Sequence, residues 1–496
     1  MTAVAVAAPS RLCTDAAAVA VDAGGNAVDA ALAAIAVAMI SEPGVCAPGA
    51  GIFITVGGPD LDPVVYDGYV AMPGRGLDVA GRRRVVREVT TDYGGGTTTL
   101  VGPGTIATPG AWSAMGEAWA RHGRVPWRTL LGPSIDVAKG FPMPTACHSY
   151  LEFTHDVIFG EDPASYAALH PDGVLVPPGA PVVVPGLEES MRRIAEEGPG
   201  DLYTGHLADR ITSDILDRGG LVTPDDLARY RTEIRPALTH DVRRWRLATN
   251  PPPAVGGAAL VAMIALTEHR GDRSPRAIAD VQREVLTFRH RHLGPGAGRR
   301  QALDALLAAR HGALSSPSTV HVSAVDEHGL GCAVTASAGY GSGVIPRGTG
   351  LWMNNALGEI ELVGDDPSWL TPGTRLPSNM APTLLVGEDG EVVAAGSPGA
   401  DRITTALMMV LGDIIYSGES VARAVHKPRL HVEFTPEGPR VAHEPGLDLS
   451  GIDLAVRPFG TRHMFFGGVG LAARHADGRL EAVADPRREG HARVIR

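Results

Sequence analysis

A threonine that opens a strand just after a loose, proline-containing segment has the chemistry of a nucleophile. Thr319 begins the stretch Thr319-Val320-His321-Val322-Ser323-Ala324-Val325-Asp326. Polar and apolar residues alternate here with the period of a strand, so Thr319, His321 and Ser323 share one face and Val320, Val322 and Ala324 the other. The glycine turn His328-Gly329-Leu330-Gly331 leads into a second small-residue strand at 332–338. Upstream, Leu314-Ser315-Ser316-Pro317-Ser318 reads as loose chain. Cutting the Ser318–Thr319 bond would leave Thr319 with a free α-amine beside its own hydroxyl. Such an amine titrates at about 7.7–8, so a useful fraction is unprotonated at neutral pH. It can serve as the base that a neutral threonine hydroxyl needs. The pattern alone is equally that of an ordinary strand-forming threonine.

A second chemical candidate is Gly396-Ser397-Pro398-Gly399-Ala400-Asp401-Arg402, which joins a strand at 391–395 to an apolar helix. Backbone N–H groups at such a helix start can hold an oxyanion. A plain strand–helix turn needing glycine is the other reading. No phosphate-binding loop, GxSxG elbow or HExxH pair occurs. His155, His240, His321 and His426 read as surface or packed residues, and no metal or other cofactor is expected. Arg289-His290-Arg291-His292 with Arg299-Arg300 has the charge of an anion site, but reads better as a solvated, cation-rich helix end.

Several elements must position these groups. Gly24-Gly25-Asn26 breaks a first helix that begins near Thr14 and starts a second over 27–40, apolar on nearly every side and therefore buried. Ile52–Val56 reads as a strand with a hairpin partner at 64–66. Amphipathic helices are expected at 112–122, 187–197 and 206–218, the last two closed by glycine. Thr223-Pro224 is a helix start. Asn250-Pro251-Pro252-Pro253 and Gly256-Gly257 form a rigid turn into an apolar helix at 258–266. Further helices are expected at 278–291 and 404–415.

The chain has 496 residues, 44% hydrophobic and 20% charged, which suits a folded globular protein. Its 62 glycines and 39 prolines are scattered between periodic segments and mark turns. A net charge of −11 disfavours nucleic-acid binding. The four cysteines form no CxxC pair, so no disulfide framework is expected. The longest apolar run, roughly 30–40, is too short to span a bilayer. No secretory signal is read at the N-terminus, and the expected location is cytoplasmic.

Together these segments resemble the γ-glutamyltransferase family of N-terminal-nucleophile hydrolases. The carrying motifs are Gly24–Ala30, Ala107–Gly110, Gly198–Tyr203, Gly219–Leu227, Pro251–Gly257, Gly396–Gly399 with Arg402, and Ala484–Arg487. The resemblance implies an α+β fold, a four-layer αββα sandwich. It implies autocleavage into a 1–318 large subunit and a 319–496 small catalytic subunit that remain together as a heterodimer forming one domain. Thr319 would be the nucleophile, Ser337 its hydroxyl partner, and Gly399 with Ala400 the oxyanion hole. A small-molecule substrate would be the partner.

The departures from the family pattern concern recognition. Tyr69 stands where the family has its carboxylate-binding arginine, and Gly339 where it has asparagine. Ala356 follows Asn354-Asn355 in place of glutamine. Glu359 keeps the amine-binding acid, and Ser378-Asn379 replaces a serine pair. Arg75, two residues past Pro73, is a candidate substitute for the missing arginine. The expected activity is therefore cleavage of an acyl C–N or C–C bond with altered acyl specificity, with a place in bacterial antibiotic biosynthesis of the alkyl-proline type. A true γ-glutamyltransferase or glutathione hydrolase, and a non-catalytic scaffold, are the alternatives.

Overall fold

A computed structural model of the chain describes residues 2–79, 83–92, 96–293, 302–303, 306, 319–364, 366–399 and 402–496. Thirteen strands build two sheets. We number them in chain order: β1 Val4–Ala8, β2 Gly51–Gly58, β3 Leu61–Gly68, β4 Glu233–Pro236, β5 Leu238–Val242, β6 Trp245–Thr249, β7 Val320–Asp326, β8 Gly331–Ser337, β9 Thr383–Gly387, β10 Val392–Gly396, β11 Gly470–Arg474, β12 Leu480–Val483 and β13 His491–Ile495. The first sheet runs β13-β1-β7-β8-β2-β3-β4 and the second β12-β11-β10-β9-β6-β5. Every pairing within them is antiparallel.

Strand alternation decides which layer each side chain enters. From β1 and β7, Val4, Val6, Val320, Val322 and Ala324 join one core with helices α1 (Arg11–Asp22) and α2 (Ala27–Ser41). Ala5, Val325 and Ala333 point the other way and meet Leu384, Val392, Ala394 and Ala472 of the second sheet. The far side of that sheet presents Leu385, Val393, Ala395 and Leu471 to helices α3 (Val255–Arg270), α4 (Pro275–His292) and α5 (Arg402–Ser417). Helix, sheet, sheet, helix is the expected αββα sandwich.

Helix α2 shows how the sequence builds this. Asn26 caps its start, accepting from Val28 N and Asp29 N, while Asp29 accepts from Asn26 N. All of its residues are buried, so no polar face was needed and none is present. Helices at Ala111–His122, Leu187–Glu197 and His206–Asp217 lie where their amphipathic patterns place them. The four cysteines are buried and free. No helix among the described residues is long and apolar enough to cross a membrane.

Candidate active site

Thr319 immediately precedes β7 and is 3% exposed. β7 and β8 pair with Val320 opposite Ala336, and one further step in that register sets Thr319 opposite Ser337. Ser337 pairs on its other side with Gly51 of β2. A Cβ on Gly51 would lie 2.7 Å from the Tyr69 ring, so the glycine is what lets that ring approach. Adjacent strands are about 4.8 Å apart, which puts Gly51 about 10 Å from Thr319 and the Tyr69 backbone, one strand further along the register, about 14 Å away. Thr319, Ser337 and Tyr69, the residues expected to serve as nucleophile, hydroxyl partner and recognition position, thus lie in one row across the first sheet.

The recognition residues come together around Tyr69. Its ring stacks on Phe53 at 5.4 Å, and its hydroxyl hydrogen-bonds Ser378. Burial, and next the nearby charge of Glu359, push the Tyr69 phenol well above its usual range. Gly339 has φ +65, and a Cβ there would lie 2.3 Å from Asn355 Oδ1 and 3.2 Å from Glu359 Oε1. The carboxyl of Glu359 is buried, with neither oxygen hydrogen-bonded among the described residues. Burial first, and the charge of Glu361 second, raise its pKa well above normal. A carboxyl so placed is held neutral until a donor reaches it.

Ser378 and Asn379 are fixed from behind by the start of α3. Val255 N and Gly256 N donate to Ser378 O at 2.8 and 3.1 Å. A Cβ on Gly256 would lie 2.0 Å from Asn379 O, so the paired glycines after the proline turn permit this docking. Asn379 Oδ1 accepts from Arg289 of α4. Arg289 is 1% exposed, which corrects its reading as solvated, whereas Arg291 and His292 are exposed as expected and Arg299 and Arg300 lie outside the described residues. The signal for Arg289 was Val285 and Leu286 on the preceding turn, which carry α4 into the core. Arg75 stands apart from the cluster. It pairs with Asp226 at 3.8 Å and packs beside Gly373.

On the other side of Thr319 lies a cavity of about 350 Å³, whose wall includes Val45, Met143, Pro144 and Pro398 together with Glu42 and Arg488. Burial pushes Glu42 up to about 7, while hydrogen bonds from Cys147 and Ser10 and the charge of Arg488 oppose the rise. The Cys147 thiol lies 3.1 Å from Glu42 Oε2. Sequence reading passed over Glu42, whose one signal is a charged residue just after an almost wholly apolar helix. His321 shares this wall. It is buried, pushed down to about 3, and its ring nitrogens sit 2.9 Å from Thr335 Oγ1 and 2.7 Å from Ser323 Oγ. It is a neutral strut between the sheets, as its packed reading expects.

The glycine turn after β10 closes the site. Gly399 has φ +122, and a Cβ there would meet Gly467 Cα at 3.0 Å. Ser397 Oγ donates to Pro398 O at 2.7 Å and accepts from Gly468 N at 3.0 Å. Arg402 Nε donates to Phe465 O at 3.0 Å and its guanidinium stacks on that ring. Ala400 and Ser318 lie outside the described residues.

The sequence pattern described as gamma-glutamyltranspeptidase matches residues 13–293 and 296–495. The chain belongs to the gamma-glutamyltranspeptidase family. It is 27% identical over 556 residues to the glutathione hydrolase proenzyme of Pseudomonas aeruginosa, covering 99% of this chain and 94% of that one. It is 29% identical over 451 residues to the acylase ACY 1 proenzyme of Pseudomonas sp. strain V22, covering 83% and 79%. In fold it is similar to the cephalosporin acylase of Bacillus halodurans, with a TM-score of 0.77, 24% identity, and 99% and 96% of the chains covered. As a member of this family the chain is an enzyme, an N-terminal-nucleophile hydrolase.

Proposed function

We propose that this gamma-glutamyltranspeptidase-family enzyme cuts itself at Ser318–Thr319 and then uses Thr319 to cleave or transfer an acyl group other than γ-glutamyl. The observation that carries the reading is Tyr69. A buried phenol bonded to Ser378 occupies the row where the family's pattern puts a guanidinium. A phenol donates a single hydrogen bond and carries no charge, so a bidentate carboxylate grip is absent at that point. Glu359, buried and without a hydrogen-bond partner among the described residues, is suited to a donor group on the acyl part. The Thr319 hydroxyl would attack the acyl carbonyl while its α-amine takes the proton. The N–H of Gly399, with that of Ala400, would hold the oxyanion.

The cavity beside Glu42 gives the leaving group or an acceptor its room. Either an amide or a carbon–carbon bond can be cut this way, provided the leaving atom accepts the electron pair. A role in antibiotic biosynthesis of the alkyl-proline type is the pathway we assign to it. Self-cleavage would follow the same chemistry: Thr319 attacks the Ser318 carbonyl, an ester forms by N→O shift, and water releases it. The two subunits, 1–318 and 319–496, would stay joined through the β1–β7 and β2–β8 pairings.

The test is an anilide panel on the processed enzyme, with γ-glutamyl-p-nitroanilide beside acetyl, butyryl and oxalyl anilides. Turnover of a non-γ-glutamyl anilide with little on the γ-glutamyl one supports the reading. Efficient γ-glutamyl turnover would reject it. The transpeptidase alternative needs Arg75 as the carboxylate ligand, and the Arg75–Asp226 pair speaks against that.

A further inference from the structure

Away from the active site, His155, Asp156 and His170 place three donor atoms within 4.8 Å of one another. The geometry points to a divalent-cation site of the zinc class, and we propose that these residues bind Zn2+.

The argument begins with the protons. His170 Nδ1 lies 3.2 Å from Tyr166 O. A carbonyl accepts, so that nitrogen carries the hydrogen and Nε2 keeps its lone pair. Nε2 is aimed at His155 Nδ1, 2.9 Å away. Asp156 Oδ1 approaches the same His155 nitrogen at 3.1 Å. Two acceptors therefore converge on one nitrogen, which can hold one proton. A cation at the centre would serve all three lone pairs at once.

The spacing suits it. Tetrahedral zinc with bonds of about 2.0–2.1 Å sets neighbouring donors about 3.3 Å apart, close to the 2.9 and 3.1 Å from His155 to His170 and to Asp156, while the Asp156 carboxylate can turn to close the third separation. The tautomer is already fixed by a backbone carbonyl, as it is for histidines that ligate metals. The His170 ring is 4% exposed and stacks on Tyr166 at 4.4 Å, which holds Nε2 in place. Two imidazoles and a carboxylate form a nitrogen–oxygen donor set, and they leave a fourth position for water.

The position gives such a site a consequence. The helices His155–Phe159 and Pro163–Leu169 brace the loop that follows Ser337. Phe159 packs against the Cα of Gly341 and Ile158 O against Gly343. Ser165 Oγ donates to Gly343 O at 2.6 Å and accepts from Trp352 Nε1 at 2.8 Å. A cation linking the two helices would stiffen that support from outside the active site.

The experiment is calorimetric titration of Zn2+ alone into the dialysed, full-length protein made without a polyhistidine tag. One cation per chain is expected, with affinity falling about tenfold or more in His155→Ala. Retained affinity in His148→Ala, a nearby histidine outside the cluster, is the control. Zn2+ should also raise the thermal midpoint of wild type and leave that of His155→Ala unmoved. His155 is partly exposed, so this variant tests the site even where His170→Ala fails to fold. No saturable uptake by wild type, or equal uptake by His155→Ala, overturns the proposal.

Discussion

At the scale of single residues, the proposed function rests on Thr319 for chemistry and Tyr69 for acyl selection. Intact mass under denaturing conditions should show two fragments dividing at Ser318–Thr319. Thr319→Ala should run as one uncut chain without turnover, since both steps need the same hydroxyl. A cleaved alanine variant would remove Thr319 from both. Tyr69→Arg restores a guanidinium beside Ser378. A charge-assisted hydrogen bond contributes about 1.5–3 kcal/mol. Hydrolysis of γ-glutamyl-p-nitroanilide should therefore rise about 10- to 100-fold in kcat/KM. An unchanged value would show that Tyr69 is not what excludes this acyl group. Thr319 was legible in the chain because alternation is local. Glu359 was legible by resemblance alone, since its isolation from hydrogen-bond partners depends on residues that are distant in sequence.

At the scale of elements, the site rests on close approaches that glycine permits. A Cβ on Gly396, the last residue of β10, would lie 2.3 Å from the His321 ring. His321 cannot retreat, because both ring nitrogens are engaged across β7 and β8. Gly396→Ala should destabilise the protein by about 1–3 kcal/mol, read as a lower thermal midpoint. Turnover should fall with it, since the same turn carries Gly399. An unchanged midpoint would mean the sheets separate more easily than this contact implies. The boundaries of these elements were readable to within a few residues: α5 runs Arg402–Ser417 and α3 runs Val255–Arg270, both longer than the apolar pattern predicts. Helices extend past their apolar core because capping and packing, not hydropathy, end them. Within the polar tail of α4, Arg291 and His292 are exposed as read, but Arg289 is buried, because a helix end in sequence says nothing about what folds over one side of it.

At the scale of the whole molecule, four buried charged groups form one network. Arg429 meets Asp485 at 2.7 Å, and Arg487 pairs with both Asp485 and Glu444, all four groups being buried. Asp485→Asn would leave two guanidinium groups short of a partner and should cost about 3–5 kcal/mol. Melting within a degree of wild type would show that Glu444 suffices alone. Glu42 makes stability depend on pH. Burial raises its folded pKa to about 7, from the 4.5 of an exposed glutamate, so the folded state binds the proton more tightly. Its contribution is intact below about pH 4.5 and is lost as pH rises through about 7, about 3 kcal/mol in all. Glu42→Gln should flatten the change in thermal midpoint between pH 5 and pH 8. An equally steep change in that variant would assign the dependence to another group.

The chain by itself determined the strand that Thr319 opens, the buried helix after Asn26 and the glycine turn after β10, while the αββα layering followed only from its resemblance to the family. Periodicity, caps and turn residues act over a few residues and leave a local record. Tertiary structure alone decided that Tyr69, Glu359, Ser378 and Asn379 meet, that Arg289 is buried against them while Arg75 is held elsewhere by Asp226, and that Glu42 shares a cavity with Thr319. Those outcomes depend on register across β2, β7 and β8 and on the docking of α3 and α4. Long-range packing sets both, and no local pattern encodes it.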